Sequence, residues 1–406
     1  MKITKCNNCK SKNLKKIFSL GKLSFSGRFG RNFKENIPAD HINIITCNDC
    51  RLVQLDRSFN PRYLYGKGYG YRTGINKTMT NHVYKTVKKI SKISNLKKKE
   101  CVLDIASNDG TLLNFYLKNT ITVGIDPLVN KYKKFYKKIN FKISNFFNKS
   151  DINKLNIKKK FKIITALSVF YDLRDPNKFI QHVRELLDQN GIFVLEHADL
   201  YSIVKNNVFD TICHEHLCYF SSRVIIEMMK KNRLRVFKHE FNDINGGSSR
   251  YYICHKDSKY KDTKSLKKII LKEKKSKIAQ NVTLKKFFSK IQEENRKLIN
   301  LVNNIKKNNK SIHGYGASTK GNIMLQFCKI GKKHIDFIAD RNPLKYGLYT
   351  PGTKIKIVSE DNSRKIKPDY YLVLPWHFKK EILIRERKIR NKGVKFIFPL
   401  PKLNVV

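Results

Sequence analysis

The fold class that the sequence predicts is α/β: a small zinc-binding lobe at the N-terminus, a central Rossmann-like domain and a second Rossmann-like α/β domain at the C-terminus. Three observations lead there. Two C-x-x-C pairs lie within the first fifty residues. Two later stretches each read as apolar strand, small polar loop, helical periodicity and a second strand ending in aspartate. With 406 residues the chain also exceeds one ordinary domain. The predicted divisions are a lobe over 1–60, a tyrosine-rich lid and linker over 61–97, the central domain over 98–257, an amphipathic linker helix over 258–308 and the C-terminal domain over 309–406.

The N-terminal pairs are Cys6 with Cys9 and Cys47 with Cys50. Each C-x-x-C turn presents two thiolates to one point, and two turns complete a tetrahedral zinc site. Four cysteines leave no open position, so the expected Zn2+ is structural and not catalytic; His41 is a substitute ligand in the same stretch. The nine cysteines are an odd number in a long chain, which favours reduced thiols over a disulfide framework. The first residues lack the apolar middle of a secretory signal, and no apolar run is long enough to span a bilayer. A cytoplasmic protein is expected.

The formal charge of +53 suggests polyanions as partners. Most of the excess is lysine, however, and it runs along the whole chain amid asparagine and isoleucine. That is the mark of compositional drift, not of a localised binding face, and arginine, the usual reader of guanine edges, is scarce. No specific nucleic-acid partner is expected.

Ahead of the central domain, "YLYGKGYGYRTG" carries Tyr63, Tyr65, Tyr69 and Tyr71 among glycines. A glycine-rich hinge bearing phenols reads as a lid that closes over a substrate. Alternation in an extended segment sets Tyr69 and Tyr71 on one side. The central domain opens with a strand from Cys101 to Ile105 and the loop "DIASNDG". Leu112, Leu113, Phe115 and Tyr116 then predict a helix, and a second strand runs from Ile121 to Asp126. Asp126 ends that strand, where an acid accepts ribose hydroxyls. There is no G-x-G-x-x-G, and Ala106 stands where glycine is usual, which disfavours a pyrophosphate and favours a nucleoside cofactor without phosphates. Further strands are expected over 161–170 and 191–200. Pro176 starts the helix between them and Gly191 follows its end.

Between 258 and 310, Leu284, Phe287, Phe288, Ile291, Leu298, Val302 and Ile305 recur at helical spacing beneath a lysine-rich face, which predicts a helix docked between domains. "GYGASTKGN" then repeats the glycine-loop theme. A helix N-terminus with Ser318 and Lys320 beside it is a natural seat for a diphosphate, and the next strand ends in Asp340. "YLVLPWH" ends another strand, where His377 and Trp376 are placed to line the cleft.

These segments follow one another in a set order: the double C-x-x-C lobe, "DIASNDGTLL", "FYDLRDPNKF", "FDTICHEHLCYFS", "NDINGGSSR", "GYGASTKGN", "ADRNPLKYGLYTPGT" and "YLVLPWH". The chain thereby resembles the three-domain sugar C-methyltransferases, which act on nucleotide-linked keto-deoxyhexoses. The loop from Asp104 through Ala106, Ser107, Asn108, Asp109 and Gly110 is similar to motif I of class I S-adenosylmethionine (SAM) methyltransferases, with Asp126 as the ribose carboxylate. The resemblance implies SAM and structural Zn2+ as cofactors and a nucleotide sugar as partner. It implies that Asn245, Gly246, Tyr315, Gly316, Ser318, Lys320, Asn322, Asp340 and His377 face the substrate, together with Tyr69 or Tyr71.

Forming a C–C bond beside a ketone requires a base that takes a carbon-bound proton, stabilisation of the enolate and alignment with the methyl donor. The resemblance assigns Glu215 and His216 as the acid/base pair, with His216 as proton acceptor. His214 shares a face with His216 if the segment is a strand; a loop leaves the choice open. A metal box built from His214, His216, Cys213 and Cys218 is the alternative reading of the stretch. The chain departs from the family in carrying Cys213 where a tyrosine precedes the glutamate, a role open to Tyr219, and in lacking a clear match in "SVFYDLRDPN", around Tyr171, for a histidine of some relatives. The function expected is SAM-dependent C-methylation of a keto-deoxysugar linked to a nucleoside diphosphate. The alternatives are O- or N-methylation of another small acceptor, and a zinc-ribbon protein that binds nucleic acid.

Overall fold

The computed structural model describes residues 1–66 and 69–406 and contains three sheets. In the first, the strands Leu14–Ser24, Ala39–Cys47 and Val53–Leu55 run antiparallel; Phe18 and Leu20 turn inward while Lys15, Lys16 and Lys22 stay outside. Its fourth strand is Cys218–Tyr219, supplied from far along the chain and paired Val53 to Tyr219 and Gln54 to Cys218. The segment that holds Glu215 and His216 is thus tied directly to the cysteine lobe.

The central sheet has seven strands in the order Leu234–Asn242, Ser248–His255, Leu187–Ala198, Phe161–Leu167, Cys101–Ile105, Ile121–Ile125, Phe141–Ile143. The last five are parallel to one another, and Ser248–His255 runs antiparallel to both of its neighbours. Residues such as Val102, Ile163, Ile164 and Val194 are fully buried, as strands covered on both faces require. The third sheet runs Ile357–Ser359, Ile338–Asp340, Ile312–Tyr315, Tyr370–Val373, Lys395–Phe398, Asn404–Val405 and is parallel except for its last strand. In both of the larger sheets the chain leaves the first strand of the unit and places its successors on opposite sides. That topological switch opens a crevice at the carboxyl ends of the strands.

Three expected elements differ in detail. After the loop at 106–110 there is no α-helix but a single 3-10 turn, Leu113–Phe115. Gly110 takes a left-handed φ of +72°, and the chain turns again at Thr120 to enter the next strand, leaving too little length for a helix that nucleates at a cost. The helix capped by Asp175 runs Pro176–Leu186, and the following strand starts at once at Leu187, so Gly191 sits inside that strand and not at the helix end. The linker is two helices, Lys264–Ser276 and Asn281–Lys307, broken where Lys277 takes a left-handed conformation. Docking follows the apolar stripe: Phe288 stacks on Phe18 at 4.7 Å, and the buried Glu273 carboxylate accepts from Ser222 and Arg223 N–H at the start of the helix Ser222–Lys231. Among the described residues no helix is long and apolar enough to cross a membrane.

Candidate active site between the sheets

The strand ends of the central and third sheets open onto one cavity of about 740 Å3, with residues of the 60–76 segment along another wall. The crevice at 104–126 and the segment carrying Glu215 and His216 both face it.

In the central crevice, Asp126 accepts from Asn108 N–H at 3.0 Å and Leu128 N–H at 2.7 Å, and Asp104 accepts from the Thr165 hydroxyl at 2.5 Å. Both carboxyls are nearly fully buried. Burial lifts Asp104 to about 7 and Asp126 to about 6, and the hydrogen bonds offset only part of the rise. Ala106 and Asn108 have φ of +59° and +52°. The alanine therefore adopts the left-handed conformation for which glycine is usual, at a steric cost of about 1–2 kcal/mol. Two buried carboxyls, each answered by neutral donors, fit a cationic nucleoside and not a phosphate. Asp109 and Gly110 lie behind the loop. Asp109 accepts from Gly74 N–H at 2.9 Å and lies 3.4 Å from Arg72 Nε, while Asn108 accepts from Thr73 N–H at 2.9 Å, so the loop also anchors the tyrosine segment. Ser107 bonds the Tyr136 hydroxyl at 2.8 Å.

The 213–217 stretch is a turn, not a strand, and its three polar side chains diverge. His214 points into the N-terminal lobe: its Nε2 bonds Asp40 O at 3.0 Å and its ring packs on Phe25 and Phe59 at 4.7 and 5.0 Å. It does not reach the cavity. Glu215 accepts from Ser26 Oγ at 3.1 Å and Gly27 N–H at 3.0 Å; a Cβ at Gly27 would lie 2.8 Å from the carboxylate, so only glycine permits the approach. His216 donates Nδ1–H to Thr211 O at 2.7 Å and packs on the Tyr171 ring at 4.1 Å. That bond fixes the tautomer with a lone pair on Nε2. Its accessible surface faces the cavity, and burial, assisted by the Lys320 ammonium, pushes its pKa down to about 3, so the ring is neutral. A neutral imidazole is ready to accept a proton but is a weak base.

Tyr69 and Tyr71 both line the cavity, and the Tyr65 ring packs on Tyr69 at 5.2 Å. Tyr65 donates to Glu215 O at 3.4 Å, whereas the buried Tyr219 does not line the cavity. Cys213 lines it with the others.

From the third sheet, Tyr315, Gly316, Ser318, Lys320, Asp340 and His377 reach the same cavity. Ser318 caps the helix Thr319–Phe327, accepting from Gly321 N–H at 3.0 Å. The half-buried Lys320 donates to Asn245 O at 2.6 Å and feels the Asp210 carboxylate. Asp340 accepts from Ala317 and Asn342 N–H, both at 2.7 Å. Gly246 and Asn322 lie outside the lining. Gly246 lets Trp376 pack where a Cβ would sit 2.6 Å from the indole, and the Trp376 N–H donates to Asp210 at 2.8 Å. Asn322 is fully buried and donates to Ser26 O at 2.7 Å, gripping the residue whose hydroxyl holds Glu215.

The four N-terminal cysteines bring their sulfurs within 4.8 Å of one another, the one such group of metal-ligating side chains among the described residues. Cys6 and Cys50, and Cys9 and Cys47, are each 3.5 Å apart. A Zn–S bond of about 2.3 Å implies a tetrahedral edge of about 3.8 Å, so the cluster fits Zn2+. The two turns are built alike: Lys10 and Arg51 are left-handed, and their N–H groups bond Cys6 O and Cys47 O at 3.0 Å. His41 stays exposed on its strand and takes no part.

Several residues of the site carry no local signal in the sequence. Ser26 and Gly27, outside the cavity lining, meet Glu215 across 189 and 188 residues of chain, and Asp172 arrives on a 3-10 turn. Buried Glu196 pairs with Arg250 at 2.7 Å and His82 at 2.6 Å, joining the helix Lys77–Ser94 to the sheet.

Three family models match successive parts of the chain. They are described as "Putative zinc binding domain" over 6–65, "Methyltransferase domain" over 76–239 and "C-methyltransferase C-terminal domain" over 243–401. The curated relative C-methyltransferase NovU of Streptomyces niveus is 27% identical over 367 residues, covering 90% of this chain and 87% of NovU. Solved structures with partial likeness include an S-adenosylmethionine-dependent methyltransferase from Clostridium acetobutylicum, at 14% identity and a TM-score of 0.36, covering 43% of this chain and 92% of that one. Another is magnesium protoporphyrin IX methyltransferase from Synechocystis, at 14% identity and a TM-score of 0.34, covering 48% and 92%.

Proposed function

The chain belongs to the SAM-dependent C-methyltransferases, and on that premise we propose that its acceptor is a keto-deoxyhexose linked to a nucleoside diphosphate, methylated on a carbon beside the ketone by way of an enolate. The observation that carries this reading is the shared cavity: a carboxyl-lined nucleoside crevice and a lysine-bearing helix N-terminus open onto the same space as His216.

Asp126 holds the ribose of the methyl donor, and the loop through Asp104, Ser107 and Asn108 surrounds its nucleoside. When bound, SAM supplies an electrophilic methyl group. The first turn of Thr319–Phe327 and Lys320 attract the diphosphate, and Asp340, Tyr315 and His377 line the nucleotide end. His216 Nε2 takes the carbon-bound proton. Glu215, fixed by Ser26 and Gly27, holds its turn in place and orients the sugar. Tyr69 and Tyr71 close the cavity against water, which strengthens every polar interaction inside it. Zinc braces the lobe from which Ser26, Gly27 and the partner strand of Cys218–Tyr219 come.

The test is incubation with a labelled methyl donor and a panel of nucleoside-diphosphate keto-sugars, with mass analysis of products. Transfer of label to a sugar carbon is expected; label found only on oxygen or nitrogen, or on none of the panel, overturns the reading.

A further inference from the structure

We propose that Asp172 is a second catalytic residue, a carboxylic acid held neutral that donates a hydrogen bond to the acceptor's ketone oxygen while His216 removes the neighbouring proton. The inference rests on the keto-sugar reading above. Asp172 ends the 3-10 turn Phe170–Asp172 and lines the cavity with Tyr65, Glu215 and His216. Its Oδ1 is buried and has no hydrogen-bond partner among the described residues.

The titratable groups that face it are the phenols of Tyr65 and Tyr69 from the segment before the central domain, Tyr171 beside it, Cys213 with Glu215 from the turn, and Cys218 with Tyr219 from the strand that follows. Among the described residues these groups include no cation. A buried carboxyl beside a second carboxyl, with no positive charge among the described residues to answer it, holds a proton, because two like charges in a dry site repel and desolvation penalises each. Both Glu215 oxygens already accept from Ser26 or Gly27, so the uncommitted oxygen of the pair belongs to Asp172. Burial raises Asp172 well above the ordinary carboxylate range; a hydrogen bond from the Tyr65 hydroxyl opposes the rise and the Glu215 charge adds to it.

The chemistry needs such a donor. His216 is held neutral as a weak base, so removal of a carbon-bound proton proceeds only if the developing oxyanion is stabilised strongly. In the step, the C–H bond pair becomes the C=C bond, the carbonyl π pair moves onto oxygen, and the proton goes to His216 Nε2. Asp172 donates its O–H to that oxygen and keeps its proton when the carbonyl re-forms. A protonated carboxyl in an apolar site serves an enolate in this way elsewhere in enzymology.

The experiment uses the zinc-loaded full chain and the Asp172→Asn variant, or Asp172→Ala should the first not fold. Infrared difference spectra at neutral pH, without substrate, are expected to show a protonated-carboxyl stretch in the parent that shifts in D2O and is missing from the variant. With a keto-sugar that the parent methylates, the variant is expected to lose roughly 100-fold in turnover and in solvent-deuterium exchange beside the ketone. KM and donor affinity are expected to stay within about threefold. A carboxyl band unchanged by the substitution, or a variant that turns over within about threefold of the parent, overturns the proposal. If the parent methylates none of the panel, the acceptor assignment fails, and the infrared arm still decides the state of Asp172.

Discussion

The central and C-terminal crevices are built on the same device and turned to opposite uses. In each, an aspartate ending the second strand takes one N–H from the first loop and one from two residues further along its own chain: Asn108 and Leu128 for Asp126, Ala317 and Asn342 for Asp340. They then part. Asp340 has the Lys345 ammonium at 3.6 Å, and its loop leads into a capped helix with Lys320 in the first turn. Asp126 and Asp104 are answered by N–H and hydroxyl donors, and their loop leads into a 3-10 turn without a helix dipole. One crevice therefore favours a cation and the other an anion, although the topology is shared. The sign of the ligand is set by a few side chains and by whether a helix starts at the loop.

The largest expected effect concerns the wall both crevices share. Chelating the zinc removes on the order of 10 kcal/mol from the N-terminal lobe. Circular dichroism should report its unfolding and activity should vanish as Ser26 and Gly27 release Glu215; full activity in demetallated protein would detach the lobe from the site. Next is His216→Asn, expected to lower turnover by roughly 10²–10⁴-fold while leaving donor affinity nearly intact in calorimetry.

The comparison itself is broken or kept by a charge-removal pair. Asp126→Asn should weaken donor binding by roughly 10–100-fold and spare the nucleotide sugar, and Lys320→Met should do the reverse. A shared loss in both variants would mean that the crevices are not separate in charge. pH sharpens it further. Because burial raises Asp104 to about 7 and Asp126 to about 6, the unliganded protein holds protons there that the unfolded chain releases near 4. That contribution to stability is present at low pH and lost as pH rises through 6 to 7. Affinity for a cationic donor should run the other way and rise across the same window. The smallest effects are in the loops. Gly316→Ala should cost about 2 kcal/mol in denaturant melts, since φ is +81° and a Cβ would meet Pro375 at 2.7 Å. Ala106→Gly should gain about 0.5 kcal/mol by relieving its left-handed alanine.

What was legible in the sequence is what local spacing encodes. The paired cysteines, the two aspartates at strand ends and the lysine beside a helix start all follow from short-range patterns, and each lands where its pattern predicts. The helix expected after Gly110 failed because apolar periodicity does not count the residues left before the next strand. The choice between His214 and His216 was not legible either, since a turn sends neighbouring side chains apart without the alternation of a strand. Glu215 depends on Ser26 and Gly27, and these on Asn322, contacts made by the third dimension alone. Asp172 belongs to the same class: only its company, several tyrosines and a carboxylate with no cation among the described residues, marks it.

The central claim is that a proton leaves carbon in the space between the two crevices before methyl transfer. It is tested most directly by incubating the protein with the nucleoside-diphosphate keto-sugar panel in D2O, without the methyl donor, and following the position beside the ketone by NMR. The account predicts deuterium uptake at one carbon of the accepted sugar, abolished in His216→Asn. Uptake at the uncatalysed rate for a sugar that the complete system does methylate would contradict it.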